Sequence, residues 1–451
     1  MSLTHHRTLL TAAIPIFLSS VAYQLSGLVG TALLGHQATT ALAAYAVSVA
    51  VLNPAFAAVS GALRGMAPFI APHREHPAEA IPILRDARWL TLAIGSLAAG
   101  VVMCIPLIAS LGGAPRDVLD ELGLFPILLV AYVLLYALGG GANAVLIALG
   151  HSRQVLWGSV SSTIISITLV IALVPRLGLA GMGIAMVAAG ATALTISNLR
   201  VRQLVGGRVG RGRPRIKEIM KLARVGIPLS GTILIKFAVL GVVTYAAVRT
   251  GTRAAAAHAI LFSMLGPLMF VSLAVAQASV PEVARADGGR AARQVSRAAL
   301  TVAVAGVAIG ALTIFVSRDW VVSLYTQDAG VGDAVLGLVP LLIVMAVVDG
   351  TQLIMGFGLA GLKRSTWSLG SVALAYGVLA LVAVPIAQAW GLSGLWGALI
   401  VNSTALILLQ TIGFYRHSAP PKPPLTQGLH LTRGQHDGHT TPVPRFRPPR
   451  P

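Results

Sequence analysis

Cysteine is nearly missing from this chain. Cys104 stands alone, which excludes an internal disulfide. Charge is scarce as well: 10% of residues are Asp, Glu, Lys or Arg while 56% are hydrophobic. A mean hydropathy of +0.81 excludes a soluble domain of this length. No Gly-rich segment ends in the Lys-Ser/Thr of a phosphate cradle, no His or Cys cluster has metal-ligand spacing, and no nucleophile triad emerges. These absences argue against an ATP-driven machine, a resident cofactor and an enzyme.

What is present is apolar length. A helix needs about 20 residues to cross a bilayer, and twelve runs qualify, near 8–35, 39–71, 88–112, 120–148, 154–175, 178–200, 223–248, 254–281, 294–317, 334–361, 365–387 and 391–415. The first run is too long for a removable signal peptide and lacks its cleavage site. The twelve divide into two sixes, because the chain repeats itself. Adding 213 to the numbers of residues 14–68 carries Pro15, Pro54 and Pro68 onto Pro228, Pro267 and Pro281, and Thr31 onto Thr244. With 25 prolines in 451 residues, three coincidences mark a tandem duplication. Trp157 and Pro175 recur as Trp367 and Pro385, and the Gly-Leu-x-Gly at Gly178 recurs at Gly391. The expected fold is an all-α integral membrane protein with 12 transmembrane helices in two pseudo-symmetric six-helix bundles. Residues 1–200 form one lobe, 201–222 a basic linker, 223–416 the second lobe and 417–451 a disordered tail. His430, His436 and His439 in that tail are weak metal-ligand candidates at most.

Lys and Arg placement sets the orientation. Nine of them lie between Arg200 and Arg224, on the side that holds both termini. The opposite side has five: Arg116, Arg176, Arg249, Arg253 and Arg318. Both termini are therefore expected in the cytoplasm, in a multi-pass plasma-membrane protein. The formal charge of +19 reads as orientation signal plus attraction to anionic membrane lipids, rather than nucleic-acid binding.

Few polar groups interrupt the apolar runs, and two are ionisable near mid-depth. Lys236 lies 11 residues past Val225 and Asp349 12 residues before Gly361, about 16 and 18 Å from one face at 1.5 Å per residue. A charge at that depth costs at least about 2.5–3.5 kcal/mol, so the two are expected to face one another or share a wet cleft. Burial favours a protonated acid and an adjacent ammonium favours the carboxylate. Ion exchange at Asp349 therefore needs the pair to separate in one conformational state, whereas a permanent pair would only fix two helices. The substrate-cavity candidates are Tyr23, Gln24, Asn53, Arg64, Asn143, Gln277 and Gln352, the last on the Asp349 face of its helix. Arg64 is alternatively a snorkelling side chain, and His258, near an outer helix end, is expected to be solvated.

The run Ile14-Pro15 through Gly27-Leu28-Val29-Gly30-Thr31-Ala32-Leu33-Leu34-Gly35-His36, then Leu42-Ala43-Ala44, resembles the opening of the multidrug and toxic compound extrusion (MATE) transporters, of the MOP flippase superfamily. Gly226-Ile227-Pro228, Ala256-Ala257-His258, the stretch from Asp349 to Lys363 and the two Gly-Leu-x-Gly segments resemble the same family, over about residues 1–416. The resemblance implies two lobes around a cleft that opens alternately to each face. It implies efflux of drug-like or metabolite small molecules by a monomer coupled to H+ or Na+. Asp349 falls on the family's second-lobe acid, but Gly30 stands where many relatives have aspartate and Lys236 where many have glutamate. Coupling is thus expected at Asp349, with a cavity more tolerant of neutral, zwitterionic or anionic cargo. A flippase for lipid-linked precursors and a non-transporting receptor or scaffold are the competing functions.

Overall fold

The computed structural model describes residues 2–207, 210 and 212–419; Arg208 and Arg211 of the linker and the three tail histidines lie outside them. The long helices are α1 (Ser2–Gln37), α2 (Thr39–Arg64), α4 (Ile81–Met103), α7 (Phe125–Ala148), α8 (Ser152–Val205), α9 (Ile216–Arg249), α10 (Thr252–Arg285), α11 (Gly288–Val316), α13 (Ala329–Gly361) and α14 (Ser365–His417). Short helices α3 (Ala67–Ile70), α5 (Ile105–Leu111), α6 (Arg116–Leu122) and α12 (Arg318–Tyr325) fill connections.

Among the described residues, ten helices are long and apolar enough to cross a membrane, and two of them count double. α8 and α14 have 54 and 53 residues, about 80 Å at 1.5 Å per residue and far beyond a hydrocarbon core of about 30 Å. Each is interrupted at one glycine, Gly178 (φ 54°, ψ −132°) and Gly391 (φ 62°, ψ −153°), a region only glycine enters cheaply. The chain reverses there. Ser162 Oγ donates to the Ala189 carbonyl across the two arms of α8, and Trp367 Nε1 to the Leu409 carbonyl across α14. The repeated Gly-Leu-x-Gly is therefore the turn between two spans, and twelve spans result.

The prolines behave unequally in the two copies. α1, α2, α9 and α10 run on through Pro15, Pro54, Pro228 and Pro267. α10 continues through Pro281 as well, whereas α2 stops at Arg64 and restarts as α3 around Pro68. The expected run over 39–71 is one span, Thr39–His73, with a two-residue turn at Gly65 and Met66, and the other half approaches closely there. A Cβ there would collide with the Gly226 backbone, and one on Gly61 would come within 2.9 Å of Ser230.

The halves meet along α2 on α9 and α1 on α10, and their side-chain contacts gather at the face that carries the N-terminus. Ser230 Oγ donates to the Ala58 carbonyl at 2.6 Å. Arg74 pairs with Glu282 at 2.9 Å and Arg285 with Glu75 at 3.9 Å. Lys363 lies 4.3 Å from the Phe69 ring centroid. The linker is strapped to α4, with Arg215 clamping the buried Asp86 at 2.6 Å and Trp89 Nε1 donating to the Gly212 carbonyl. The Asp86 hydrogen bond holds the Arg215 guanidinium above its ordinary value. The core of the N-terminal half continues across this face into Ala274–Val280 of α10 and Ile354–Phe357 of α13, while the far part of the C-terminal half keeps a core of its own. The bundles are thus joined at the N-terminal face and part company away from it.

Candidate functional site

At mid-depth in the C-terminal half, Lys236 of α9 reaches Asp349 of α13. Its Nζ donates to Oδ1 at 2.9 Å and to Oδ2 at 2.8 Å. Ser403 of α14 donates to Oδ1 at 3.3 Å. Three helices therefore converge on one carboxylate, which is 3% exposed, while the Lys236 side chain is 28% exposed. The acid is nearly closed off, and the partly exposed member of the pair is the ammonium. Beside Lys236 sits Tyr376, whose buried hydroxyl is close enough to feel the charge.

The duplication places a different chemistry opposite. Subtracting 213 carries Lys236 onto Tyr23 and Asp349 onto Tyr136, so phenols stand where the second half has an ion pair. Phe56 packs against Tyr132 at 5.2 Å and Tyr136 at 4.3 Å between ring centroids. Tyr23 neighbours Tyr132, Tyr136 and Tyr45 and is 47% exposed. The repeat-related positions are thus aromatic and neutral in one half, and a closed ion pair in the other.

The remaining candidates scatter. Gln24 and Asn53 are exposed and make no polar contact among the described residues. Asn143 accepts a 2.7 Å bond from Ser197, which ties α7 to α8. Gln352 does share the helix with Asp349, but it is buried and donates to Gln410, which donates to Ser368. It joins α13 to α14 and does not face the cleft. Arg64 and Gln277 come together in one small pocket between the halves, with the Arg64 guanidinium 5.7 Å from the Phe357 centroid. His258 is not solvated: it is 1% exposed, 3.5 Å from Thr244 Oγ1 and packed against the Phe262 ring at a tilt and Trp396 edge-on. Its own half folds over it, because Trp396 follows the Gly391 turn closely.

Sequence reasoning passed over Tyr132, Tyr136, Phe56, Tyr376 and Ser403. One was within reach: the repeat shift applied to the charged pair lands on Tyr136, as well as on Tyr23, already a candidate. Ser403, inside a sequon-like triplet, and Tyr376 carry no such signal.

Residues 228–386 match the MatE family model. Over 90% of its length the chain is 24% identical to a probable multidrug resistance protein NorM of Acinetobacter baylyi, covering 94% of that protein. It is 25% identical to the NorM protein of Xanthomonas campestris pv. campestris, with 91% and 94% covered. Its fold superposes on the bent form of the Vibrio cholerae MATE transporter VcmN with a TM-score of 0.81 at 17% identity, over 92% of this chain and 97% of that one. A MOP superfamily transporter from Pyrococcus furiosus superposes with a TM-score of 0.80, also at 17% identity, over 92% and 96%. Twelve spans in two repeats, a MatE match in the second repeat and relatives that run nearly end to end agree with one another: the chain is similar over about nine-tenths of its length to multidrug resistance proteins of the NorM type and has the fold of MATE transporters.

Proposed function

We propose that the chain exports drug-like or secondary-metabolite small molecules by alternating access, coupled to H+ or Na+ at Asp349. The observation that carries this reading is a carboxylate buried midway along α13 whose counter-ion, Lys236, keeps 28% of its side chain exposed. A carboxylate sealed away from water, or turned toward lipid, could not exchange an ion with either compartment. Three helices hold it, so relative movement of α9, α13 and α14 changes its coordination. Separating Lys236 from Asp349 in one state supplies the ion-binding step.

The Lys and Arg excess on the N-terminal face favours a cytoplasmic location for it, in the cytoplasmic membrane among anionic lipids. The seam of Gly65, Gly226 and the Arg74–Glu282 pair then closes the cytoplasmic side of a monomer, and the cleft opens outward. The two six-helix lobes rock about that seam. Both Asp349 oxygens are engaged, and the equivalent positions in the other half are phenols, so the mid-depth wall offers a cationic cargo no free acid. Neutral, zwitterionic or anionic molecules are the expected substrates.

Proteoliposomes loaded with matched cationic and anionic dyes, under an imposed pH or Na+ gradient, test this reading. Gradient-driven movement of the anionic or neutral dye is expected. A strict preference for the cation, or no response to either gradient, contradicts it.

A further inference from the structure

The small pocket between the halves has an arrangement that the ion pair does not explain. Shifting by 213 maps Arg64 onto Gln277, Ala67 onto Val280 and Ala144 onto Phe357, and all six line this pocket. It therefore sits on the pseudo-two-fold axis that relates the halves. Duplication made a symmetric site there, and divergence has put a guanidinium on one side and an amide and an aromatic ring on the other.

Arg64 ends α2 at the Gly65 break. Its guanidinium lies 5.7 Å from the Phe357 centroid and, among the described residues, finds neither a carboxylate nor a hydrogen bond. The Gln277 amide beside it is likewise unbonded. Three other cations of the same face have acids: Arg74 and Arg285 share Glu282, and Arg215 holds Asp86. Deeper in the membrane the fold gives Lys236 an acid of its own. A guanidinium is costly to hold in such surroundings without a counter-charge, and its planar fork of donors fits a carboxylate through two parallel bonds. The cavity is only about 20 Å³, far below the range of about 300–1,000 Å³ for pockets that enclose a drug-sized ligand and little more than one water needs. It can admit the tip of a head group, with the body of the molecule left outside.

The geometry points to an anion subsite: Arg64, with Gln277 and Phe357, binds the carboxylate of an amphipathic aromatic substrate at the base of the cleft. This assignment rests on the export reading above. The guanidinium supplies the two charge-assisted bonds, the Gln277 amide a third, and the Phe357 ring covers the apolar side. Because Arg64 and Gln277 belong to opposite halves, the bound anion ties them together.

Equilibrium binding to the purified full chain in detergent tests this, with 2-naphthoate as probe, its methyl ester as the neutral counterpart and chloride as competitor. Wild type is expected to prefer naphthoate to the ester. Arg64→Gln should weaken naphthoate at least about tenfold, the scale of one lost charge-assisted hydrogen bond, and leave the ester unchanged. Arg64→Lys should fall between, since a point charge replaces the fork, and Gln277→Leu should cost a few-fold, on the order of one neutral hydrogen bond. Equal naphthoate affinity in wild type and Arg64→Gln overturns the assignment. Parallel loss of naphthoate and ester does too, since Arg64 would then only hold the halves together. Full displacement by chloride at matched concentration makes this an inorganic-anion site and overturns the substrate carboxylate. If Arg64→Gln does not fold, a wild type that binds ester and naphthoate equally is itself disproof. No gradient is involved, so Asp349→Asn should still bind naphthoate; normal transport by that variant would sink the coupling reading and leave this one standing.

Discussion

Breaking the Lys236–Asp349 pair from its two ends should have unequal costs. Lys236→Met removes two of the three hydrogen bonds on a carboxylate that is 3% exposed, and leaves the acid with Ser403 alone. An orphaned buried charge costs about 3–5 kcal/mol. Asp349→Asn keeps the shape and an oxygen for Ser403, and the abandoned ammonium, 28% exposed, turns toward cleft water. That loss should stay near the scale of one or two hydrogen bonds to a charged group, about 1.5–3 kcal/mol. The double variant Lys236→Met with Asp349→Asn removes both charges. It should be more stable than the sum of the singles by about 2 kcal/mol, within the range for contacting pairs. Reversible unfolding of the detergent-solubilised protein reads all four corners of the cycle. Additive single effects, or Asp349→Asn as the more damaging change, would mean that the two groups do not depend on one another and would refute the geometry on which the site is built.

Other parts of the fold make their own predictions. Gly391→Ala has no steric neighbour within 4 Å but forces φ 62° on an L side chain, so it should destabilise by about 1–3 kcal/mol in the same unfolding assay; a neutral result would remove the glycine turn as the cause of the reversal. Gly65→Ala wedges the halves apart at Gly226 and should disfavour the state closed at the N-terminal face, seen as reduced labelling of a cysteine placed at Tyr23 in a Cys104→Ser background. Asp86→Ala releases Arg215 and should make the 206–215 linker more sensitive to limited proteolysis, while unaltered cleavage would show that the strap is held elsewhere. Burial, helped by Arg74, pushes the His151 imidazole below its ordinary value. The folded state therefore binds that proton less readily than the unfolded chain, and stability is lost as pH falls below about 6.5 toward the lower folded value. His151→Gln should flatten this acid limb of the thermal-stability profile, and an unchanged limb would assign it to other groups.

The architecture was legible in the sequence because membranes restrict the options to long apolar spans, and because three prolines and two Gly-Leu-x-Gly segments betray the duplication. The depth estimate for Lys236 and Asp349 needed only a rise per residue, and the contact follows. Other features were hidden. Gln352 shares a face with Asp349, but periodicity cannot say that Gln410 waits one helix away. Nothing in the apolar run around Gly65 reveals that Gly226 approaches there. His258 looks peripheral by its position, yet Trp396 and Phe262, 138 and 4 residues away in number, cover it. Apart from Phe262, one helical turn from His258, these are contacts between distant segments, which local pattern does not encode.

The sharpest test of Asp349 as the coupling group separates two kinds of transport by the same reconstituted protein. Wild type should accumulate a dye against its concentration gradient when a pH or Na+ gradient is imposed, and should also exchange dye in counterflow without one. Asp349→Asn should lose the accumulation and keep the counterflow, because the cleft survives and only the ion step is removed. Full gradient-driven accumulation by Asp349→Asn would contradict the account.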